Sequence, residues 1–489
     1  MHLSDYMIKA QKSSKGKRVG LADITDSIAR VIDDTQSGAK ELFEPVVRVG
    51  VTGLSRAGKT VFITSLIANL LDRSRMPGLK ANPLVTAAFL QPQPDDTIPR
   101  FAYEHHLQAL NSPTPHWPES TSSISQLRLS IRTQSTGLLR GLKGPKTLHI
   151  DIVDYPGEWL LDLPLLKQSY AEWSADSIDQ SRTAARADFA QDWLSHLEAC
   201  DPRKALEEPQ AQDLAEAFTA YLQAARAAGF SNCAPGRFLL PGDLKGSPAL
   251  TFAPLPRPEK VRSKTLYGAF ERRFEAYKKQ IIKPFFRDHF AKIDRQIVLV
   301  DALGAIHNGP EAVEDLRLAL GEILTSFRPG KNHILSRITG RKVEKILFAA
   351  TKADHIHHSQ HPQLTGFLEA MLSDTKDAAS WKGATTQALS ISALRATVEQ
   401  STNHEGEMLD LVRGTLMETG KNVALHPGDL PADPARLLTP AKQGASMWPE
   451  DIQYNLPAFA PPKAAHEAPK GLAHIRLDKA AEFLVGDKL

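Results

Sequence analysis

Apolar positions along this chain follow two periods. Val46, Val47, Arg48, Val49, Gly50 and Val51 form a β-branched run that ends at a glycine turn and predicts a strand. Val61, Ile63, Leu66, Ile67, Leu70 and Leu71 follow at the spacing of an amphipathic helix. Residues 73–123, rich in Pro, Ser and Thr, read mainly as irregular structure. Leu127, Leu129 and Ile131 then alternate with polar residues, residues 141–146 read as a turn, and residues 148–154 as a further strand, which together predict an antiparallel hairpin. Residues 296–301, 345–350 and 387–391 are near-continuous apolar runs, the pattern of strands covered on both faces. A helix carrying Val313, Leu316, Leu320, Ile323, Leu324 and Phe327 separates the first two, with Pro310 near its first turn. This alternation predicts an α/β fold with a mostly parallel sheet.

Between Gly157 and Arg295 lie 137 residues (295 − 157 − 1), far more than a strand-to-strand crossover needs. Phe189, Trp193, Leu194 and Leu197 recur at helical spacing there, as do Leu214, Phe218, Tyr221 and Leu222, and Phe270, Phe274, Tyr277, Ile281, Phe285 and Phe290. The gap reads as an all-helical insertion whose aromatic residues form its core. Met408, Leu409, Leu411 and Val412 suggest one more helix. Eight prolines between Pro427 and Pro462 then predict an irregular extension, and Ile475, Leu477, Phe483 and Leu484 an ending that docks back on the core. At the other end, Leu21, Ile24, Ile28, Val31 and Ile32 predict a helix, downstream of Lys9, Lys12, Lys15, Lys17 and Arg18, and the alternative to packing it on the protein is a membrane-surface helix.

Composition narrows the function classes. Among 489 residues, 59 Lys and Arg against 56 Asp and Glu leave a formal charge of +3, which does not suggest a dedicated nucleic-acid binder. Two cysteines, Cys200 and Cys233, are too few for a disulfide framework or a four-cysteine zinc site and read as free buried thiols. No run of eighteen apolar residues occurs, and the basic, polar N-terminus lacks the apolar stretch of a secretory signal. A cytoplasmic protein with at most peripheral contact at a membrane is expected.

The chemistry begins at Gly53-Leu54-Ser55-Arg56-Ala57-Gly58-Lys59-Thr60, which matches G-x-x-x-x-G-K-[ST] directly after a strand and before a helix. Gly53 and Gly58 let the loop wrap so that backbone N–H groups point at phosphate oxygens. Lys59 places a positive charge on the β- and γ-phosphates, the Thr60 hydroxyl suits Mg²⁺, and the helix starting near Val61 aims its positive end at the same anion. Arg56 either adds charge in cis or faces solvent. Asp154-Tyr155-Pro156-Gly157 puts a carboxylate at a strand end, placed to hold magnesium through water, and a glycine whose N–H can approach a γ-phosphate. Asp151 reads as a sheet-edge carboxylate. Thr351-Lys352-Ala353-Asp354 and Ser392-Ala393-Leu394 each follow a later apolar strand.

Phosphate loop, D-x-x-G, T-K-x-D and S-A-L, in this chain order, resemble the guanine-nucleotide-binding domain of Ras-like and Era-like GTPases. The resemblance implies that Asp354 accepts from the guanine N1–H and 2-amino group, that Lys352 lies against the base, and that the Ala393 N–H meets guanine O6. Thr351 stands where that family has asparagine, and Glu158 where Ras-like proteins carry the water-orienting glutamine; the glutamate's charge predicts slow hydrolysis without help in trans. Thr121 is the candidate for closing over Mg²⁺ and the γ-phosphate, with Thr86, Thr97 and Thr114 as competitors. The loop, the run Asp154-Tyr155-Pro156-Gly157-Glu158-Trp159-Leu160 and the ending His474-Ile475-Arg476-Leu477-Asp478 further resemble the YcjX-like proteins, bacterial P-loop NTPases associated with envelope and heat stress.

The resemblance implies a GTPase core with a helical insertion; together with the residue pattern it divides the chain into an N-terminal helical segment (1–45), a GTP-binding domain in two parts (46–157 and 295–400), the helical insertion (158–294) and a C-terminal helix with a Pro-rich extension (401–489). It implies a Mg²⁺-dependent GTPase switch in a stress response, cytoplasmic or peripheral at the inner membrane, binding GTP and GDP and a protein partner, with an inner-membrane stress protein as the candidate. An ATP-dependent kinase or transferase, and a nucleotide-stabilised scaffold with little turnover, are the alternatives. His355, His357, His358 and His361 cluster just after Asp354, but no cysteine or carboxylate accompanies them in order, so they read as a solvated loop.

Overall fold

In the computed structural model, five of the strands run parallel and end at one edge, where the loops carrying Gly58–Thr60, Thr351–Asp354 and Ser392–Leu394 lie. The structure describes residues 44–54, 56–119, 123–134, 145–326, 343–373, 384–404, 406–450, 452–463 and 471–489. The expected N-terminal helix, most of the turn at 141–146, Ser55 and Thr121 lie outside them.

The sheet contains β1 (Val46–Gly53), β2 (Val85–Gln91), β3 (Ser125–Thr133), β4 (Lys146–Asp154), β5 (Arg295–Val300), β6 (Lys345–Ala350) and β7 (Thr385–Ser390), in the order β2-β3-β4-β1-β5-β6-β7. β4, β1, β5, β6 and β7 are parallel, while β3 pairs antiparallel with β4 and with β2. The hairpin and the mostly parallel sheet agree with the sequence pattern.

Alternation along the strands sends side chains to two apolar clusters, one on each face. Val49 and Val51 of β1, Ile150 and Ile152 of β4, and Ile297 and Leu299 of β5 pack with helix α1 (Lys59–Asp72) and with Leu477, Ala480, Ala481 and Leu484 at the C-terminal end. Val153, Val298, Val300, Ile346 and Phe348 face the other way, onto α8 (Ala302–Asn308), α9 (Pro310–Ser326) and α10 (His361–Ser373). Both faces of the central strands are therefore covered, which is why their sequences read as unbroken apolar runs.

Residues 158–294 form α3 (Tyr170–Ser181), α4 (Ala184–Glu198), α5 (Glu208–Ala227), α6 (Leu266–Tyr277) and α7 (Lys283–Asp288), with a single helical turn at Gly236–Leu239. Their aromatics interlock: Trp173 stacks on Phe274 at 5.1 Å between ring centroids, and Trp193 on Tyr221 at 5.6 Å. Offset and edge-on pairs of this kind add about 1 kcal/mol each beyond burial. Phe189 is the exception, 36% exposed. These side chains belong to the same apolar cluster as the second sheet face.

Several elements differ from the pattern-based reading. Residues 73–123 contain β2 and α2 (Tyr103–Asn111); β2 is an outer strand whose side chains are mostly half-buried, so its apolar alternation is weak. β7 is the opposite outer strand, exposed over Thr385, Thr386 and Gln387 rather than covered on both faces. No helix forms at 408–412. Those residues lie in β9 (Glu407–Thr415), paired antiparallel with β8 (Val398–His404) and β10 (Asn422–Leu425) in a second, three-stranded sheet. Gly406, at φ 93°, makes the β8–β9 turn, and the cross-strand partners rather than local propensity decide the conformation. Asp151 sits inside the sheet, not at its edge, and takes a two-pronged ion pair from Arg128 at 2.6 and 2.9 Å. The extension continues through α11 (Ala435–Lys442) to α12 (Leu477–Ala481), which runs on into a π-helical turn at Glu482–Gly486. Among the described residues no helix is long and apolar enough to cross a membrane.

Candidate functional site

The register of the parallel strands brings the motifs together. Val51 pairs with Asp154, Gly53 with Leu299, Val300 with Ala350 and Ala350 with Ser390, so the loops that follow β1, β5, β6 and β7 all open at one carboxyl edge. There they enclose a cavity of about 580 Å³.

One side of that cavity is the loop after β1. Arg56 and Gly58 take left-handed backbone conformations (φ 60° and 79°), and the Lys59 ammonium donates to the Gly53 carbonyl at 3.1 Å. Phe62 N–H donates to Gly58 O at 2.9 Å, which starts α1 inside the loop and leaves its first N–H groups at the cavity. Arg56, Ala57, Gly58, Lys59, Thr60 and Val61 all line the cavity. The Thr60 hydroxyl donates to the Glu119 carbonyl at 3.3 Å, which brings the chain just before β3 over the loop. Thr121 itself lies outside the described residues. Thr86, Thr97 and Thr114 are not among the described residues that line the cavity.

The opposite side carries the later motifs. Thr351, Lys352, Asp354, Ser392, Ala393 and Leu394 line the same cavity. Thr351 donates through both N–H and hydroxyl to the Val300 carbonyl, at 2.9 and 3.3 Å, and so ties the end of β6 to β5. Lys352, left-handed at φ 60°, pairs with Asp301. Non-glycine residues in that region cost of order 1 kcal/mol and concentrate where a ligand is gripped. Asp354 is 3% exposed, and its Oδ2 accepts from the Ala396 N–H at 2.7 Å, which orients the carboxylate. Ser392 exchanges two backbone hydrogen bonds with Ile475, at 3.0 and 2.8 Å, and Arg395 N–H donates to Ala473 O at 2.8 Å. Arg476 reaches Ser390 O at 3.0 Å and His361 Nδ1 at 3.1 Å. The His474-to-Asp478 ending therefore braces the S-A-L loop.

Asp154 (1% exposed) and Gly157 are buried, and neither is among the described residues that line the cavity; Gly157 packs against Gly53. A Cβ on Gly157 would fall 2.1 Å from the Gly53 carbonyl oxygen, so only glycine permits this approach. Glu158 is not on the cavity wall. It is buried, and its carboxylate is held by Arg226 of α5 at 2.6 Å; Arg226, not Glu158, lines the cavity. Four residues on, burial pushes the Asp162 carboxyl up to about 7, against hydrogen bonds from Tyr277 Oη (2.6 Å) and Gly236 N–H (2.7 Å) that favour its charged form.

Sequence patterns alone did not reveal Asp301, Arg226, Trp117 or Phe459. Trp117 Nε1 donates to Phe459 O at 2.8 Å, and the pair closes the cavity between the pre-β3 segment and the C-terminal extension. His355 packs edge-on against Phe459 at 5.0 Å, and burial lowers its pKa. The histidines are no solvated loop: His357 and His361 are buried, and His361 is bonded to Ala353 O at 2.8 Å. Carboxylates do accompany them, because β8 and β9 bring Glu399 and Asp410 to His357 and His358. Both cysteines are free, and burial pushes the Cys233 thiol up to about 12.

A glycine-rich loop between a central parallel strand and a helix, with a second polar wall at the same sheet edge, defines an α/β protein of the P-loop GTPase fold. The sequence pattern of the YcjX-like family, DUF463, matches residues 47–489, and the chain belongs to that family. It is 37% identical over 457 residues to a protein of Escherichia coli (strain K12) named "Ras-like GTPase YcjX", covering 91% of this chain and 96% of that protein. A protein of the same name from Shewanella oneidensis is 35% identical over 500 residues, covering 96% and 100%.

Proposed function

We propose that this protein binds GTP and hydrolyses it to GDP and phosphate as a Mg²⁺-dependent switch. The single observation that carries the reading is that the Lys59–Thr60 loop and the Asp354–Ala393 wall open onto one cavity, so one nucleotide can touch both. The names of the two relatives support it. In this reading the loop N–H groups and Lys59 grip the phosphates, while Asp354 accepts from the two guanine donors that adenine lacks and the Ala393 N–H meets O6. Ser55 and Thr121 would complete the phosphate and metal contacts.

Thr60 and Asp154 offer a hydroxyl and a carboxylate, the hard oxygen donors that suit Mg²⁺. The ion would be held there and would neutralise charge building on the phosphates. Lys59 stabilises the same charge, and the Gly157 N–H is the candidate donor to the γ-phosphate. Glu158, engaged by Arg226, is not poised to orient water, which supports slow turnover without a partner. Because the helical segment follows Gly157 directly, loss of γ-phosphate is read out through Glu158, Arg226 and α5. On the family resemblance, the setting is a bacterial envelope or heat stress response.

A competition titration of GTP, GDP and ATP with Mg²⁺, followed by phosphate release, tests the reading. Lys59→Ala should lose nucleotide affinity, and Asp354→Asn should exchange guanine for xanthine preference. Equal binding of ATP, or an Asp354→Asn variant that still prefers guanine, would overturn it.

A further inference from the structure

We propose that His357, His358 and Glu399 form a second, separate metal site that takes a transition-metal dication of the zinc class. One ligand atom from each of the three residues lies within 4.8 Å of the other two. Glu399 Oε2 is the shared point, 2.7 Å from His358 Nδ1 and 3.8 Å from His357 Nε2. Donors bound at about 2.0–2.1 Å in a tetrahedral site stand roughly 3.3 Å apart, and the two distances straddle that value. Small side-chain rotations close the difference.

The surroundings are those of a ligand set and not only of a hydrogen-bonded cluster. Asp410 Oδ2 lies 2.9 Å from His357 Nδ1, which also meets Ser359 Oγ at 2.8 Å, so one edge of the ring is held while Nε2 faces Glu399. Asp410 is in turn fixed by Ser359 Oγ at 3.0 Å and Ser401 Oγ at 3.1 Å. A carboxylate behind a ligating imidazole is the arrangement that orients metal-binding histidines and raises their basicity. Arg395 approaches Glu399 through the other oxygen, Oε1, at 3.5 Å, so Oε2 remains directed at the imidazoles. His358 is 66% exposed at its side chain, which gives an ion access and leaves room for water as a further ligand. Two imidazoles with one carboxylate select zinc-class ions over Mg²⁺ or Ca²⁺, whose sites are built from oxygen.

The location gives the site a consequence. His357 and His358 follow Asp354 on the loop after β6, whereas Glu399 is on β8, three residues beyond the Ala396 N–H that orients Asp354. A bound ion would fasten the three-stranded sheet to the loop that carries Asp354.

The test uses the full-length, nucleotide-free protein titrated with Zn²⁺ against a chromophoric chelator, and with Co²⁺ monitored by its visible absorption. One equivalent per chain should bind in the wild type and in Thr60→Ala, and be lost in His358→Ala and in Glu399→Gln. Asp410→Asn should weaken it about 10- to 100-fold. His196→Ala, an exposed position on α4, controls for binding by another histidine of the chain. Wild-type stoichiometry in His358→Ala or Glu399→Gln, or no stoichiometric binding by a wild-type protein that melts cooperatively, would overturn the proposal. His358 is exposed, so its substitution leaves the fold intact, and circular dichroism checks this.

Discussion

Gly157→Ala is the sharpest single probe of how the turn after β4 packs on the loop after β1. The added methyl would sit 2.1 Å from Gly53 O, 2.5 Å from Gly53 C and 3.1 Å from Gly53 N, all backbone atoms that no rotamer change can move. Ordinary contact begins near 3.4 Å, so the two segments must part by about 1.3 Å. Gly53 has little room to yield: it closes β1, is paired with Leu299 of β5, and a Cβ placed on it would fall 2.8 Å from Leu299 Cβ. The displaced segment is therefore the helical turn Gly157–Asp162, which must lift buried Trp159, Leu160 and Leu161 from their contacts. Overpacking of this kind costs about 1–3 kcal/mol, a fall of several degrees in Tm. A shift of about 1 Å at a reacting centre costs on the order of 100-fold in rate. We predict that Gly157→Ala lowers Tm, slows phosphate release by about two orders of magnitude, and weakens a non-hydrolysable GTP analogue more than GDP. Melting scans, single-turnover phosphate release and equilibrium titration of the two nucleotides measure these effects. A variant with unchanged Tm and GTP turnover within about twofold of wild type would refute the steric argument.

Other expectations follow from buried charges. Arg226→Ala strands the Glu158 carboxylate and should destabilise the fold by about 3–5 kcal/mol in urea melts, with Glu158→Gln in the same chain restoring much of the loss; additive effects would show the pair to be uncoupled. Asp162 is raised to about 7 when folded, against about 3.9 when unfolded, so between those values the folded state holds the extra proton and stability falls as pH rises. That contribution is full below pH ~4 and lost above pH ~7, and Asp162→Asn should flatten the decline of Tm from pH 5 to 8; a parallel decline in the variant would assign it elsewhere. Half-buried Cys200 should react with a thiol reagent in the native protein, and Cys233 only on unfolding; equal rates would contradict the burial. Arg476→Ala should weaken guanine nucleotide binding without touching the cavity, by loosening the loop at Ser392, and an unchanged affinity would show that the Ile475 pairing suffices.

What could be read from the chain was local in sequence. β1, the loop from Gly53 to Thr60 and α1 occupy one continuous stretch whose periodicity and glycine spacing are set by its own geometry. The central strands were legible because burial on both faces leaves them uniformly apolar. β9 was misread because its apolar residues become a strand only through β8 and β10, and β2 because one outer strand half-buried against β3 carries little pattern. In the site, Lys59 and Asp354 follow from motif spacing, whereas Arg226 and Asp301 are recruited by tertiary pairing with Glu158 and Lys352. The carboxylates beside His357 and His358 arrive from Glu399 and Asp410, 41 and 53 residues along the chain from His358 and His357 respectively (399 − 358 and 410 − 357), beyond any local signal.

The apolar sheet face under α1 has a late cover. Its strands are synthesised from residue 46 onward, yet Leu477, Leu484 and Val485 seal it from the far end of the polypeptide. During synthesis, Val49, Ile150, Ile297 and Leu347 must wait, greasy and water-facing, for a plug that begins between 130 (477 − 347) and 428 (477 − 49) residues downstream. A polypeptide cut at residue 470 should emerge from the ribosome chaperone-bound or aggregated, and recovery of a freely dispersed, cooperatively melting truncation would show that the plug is dispensable.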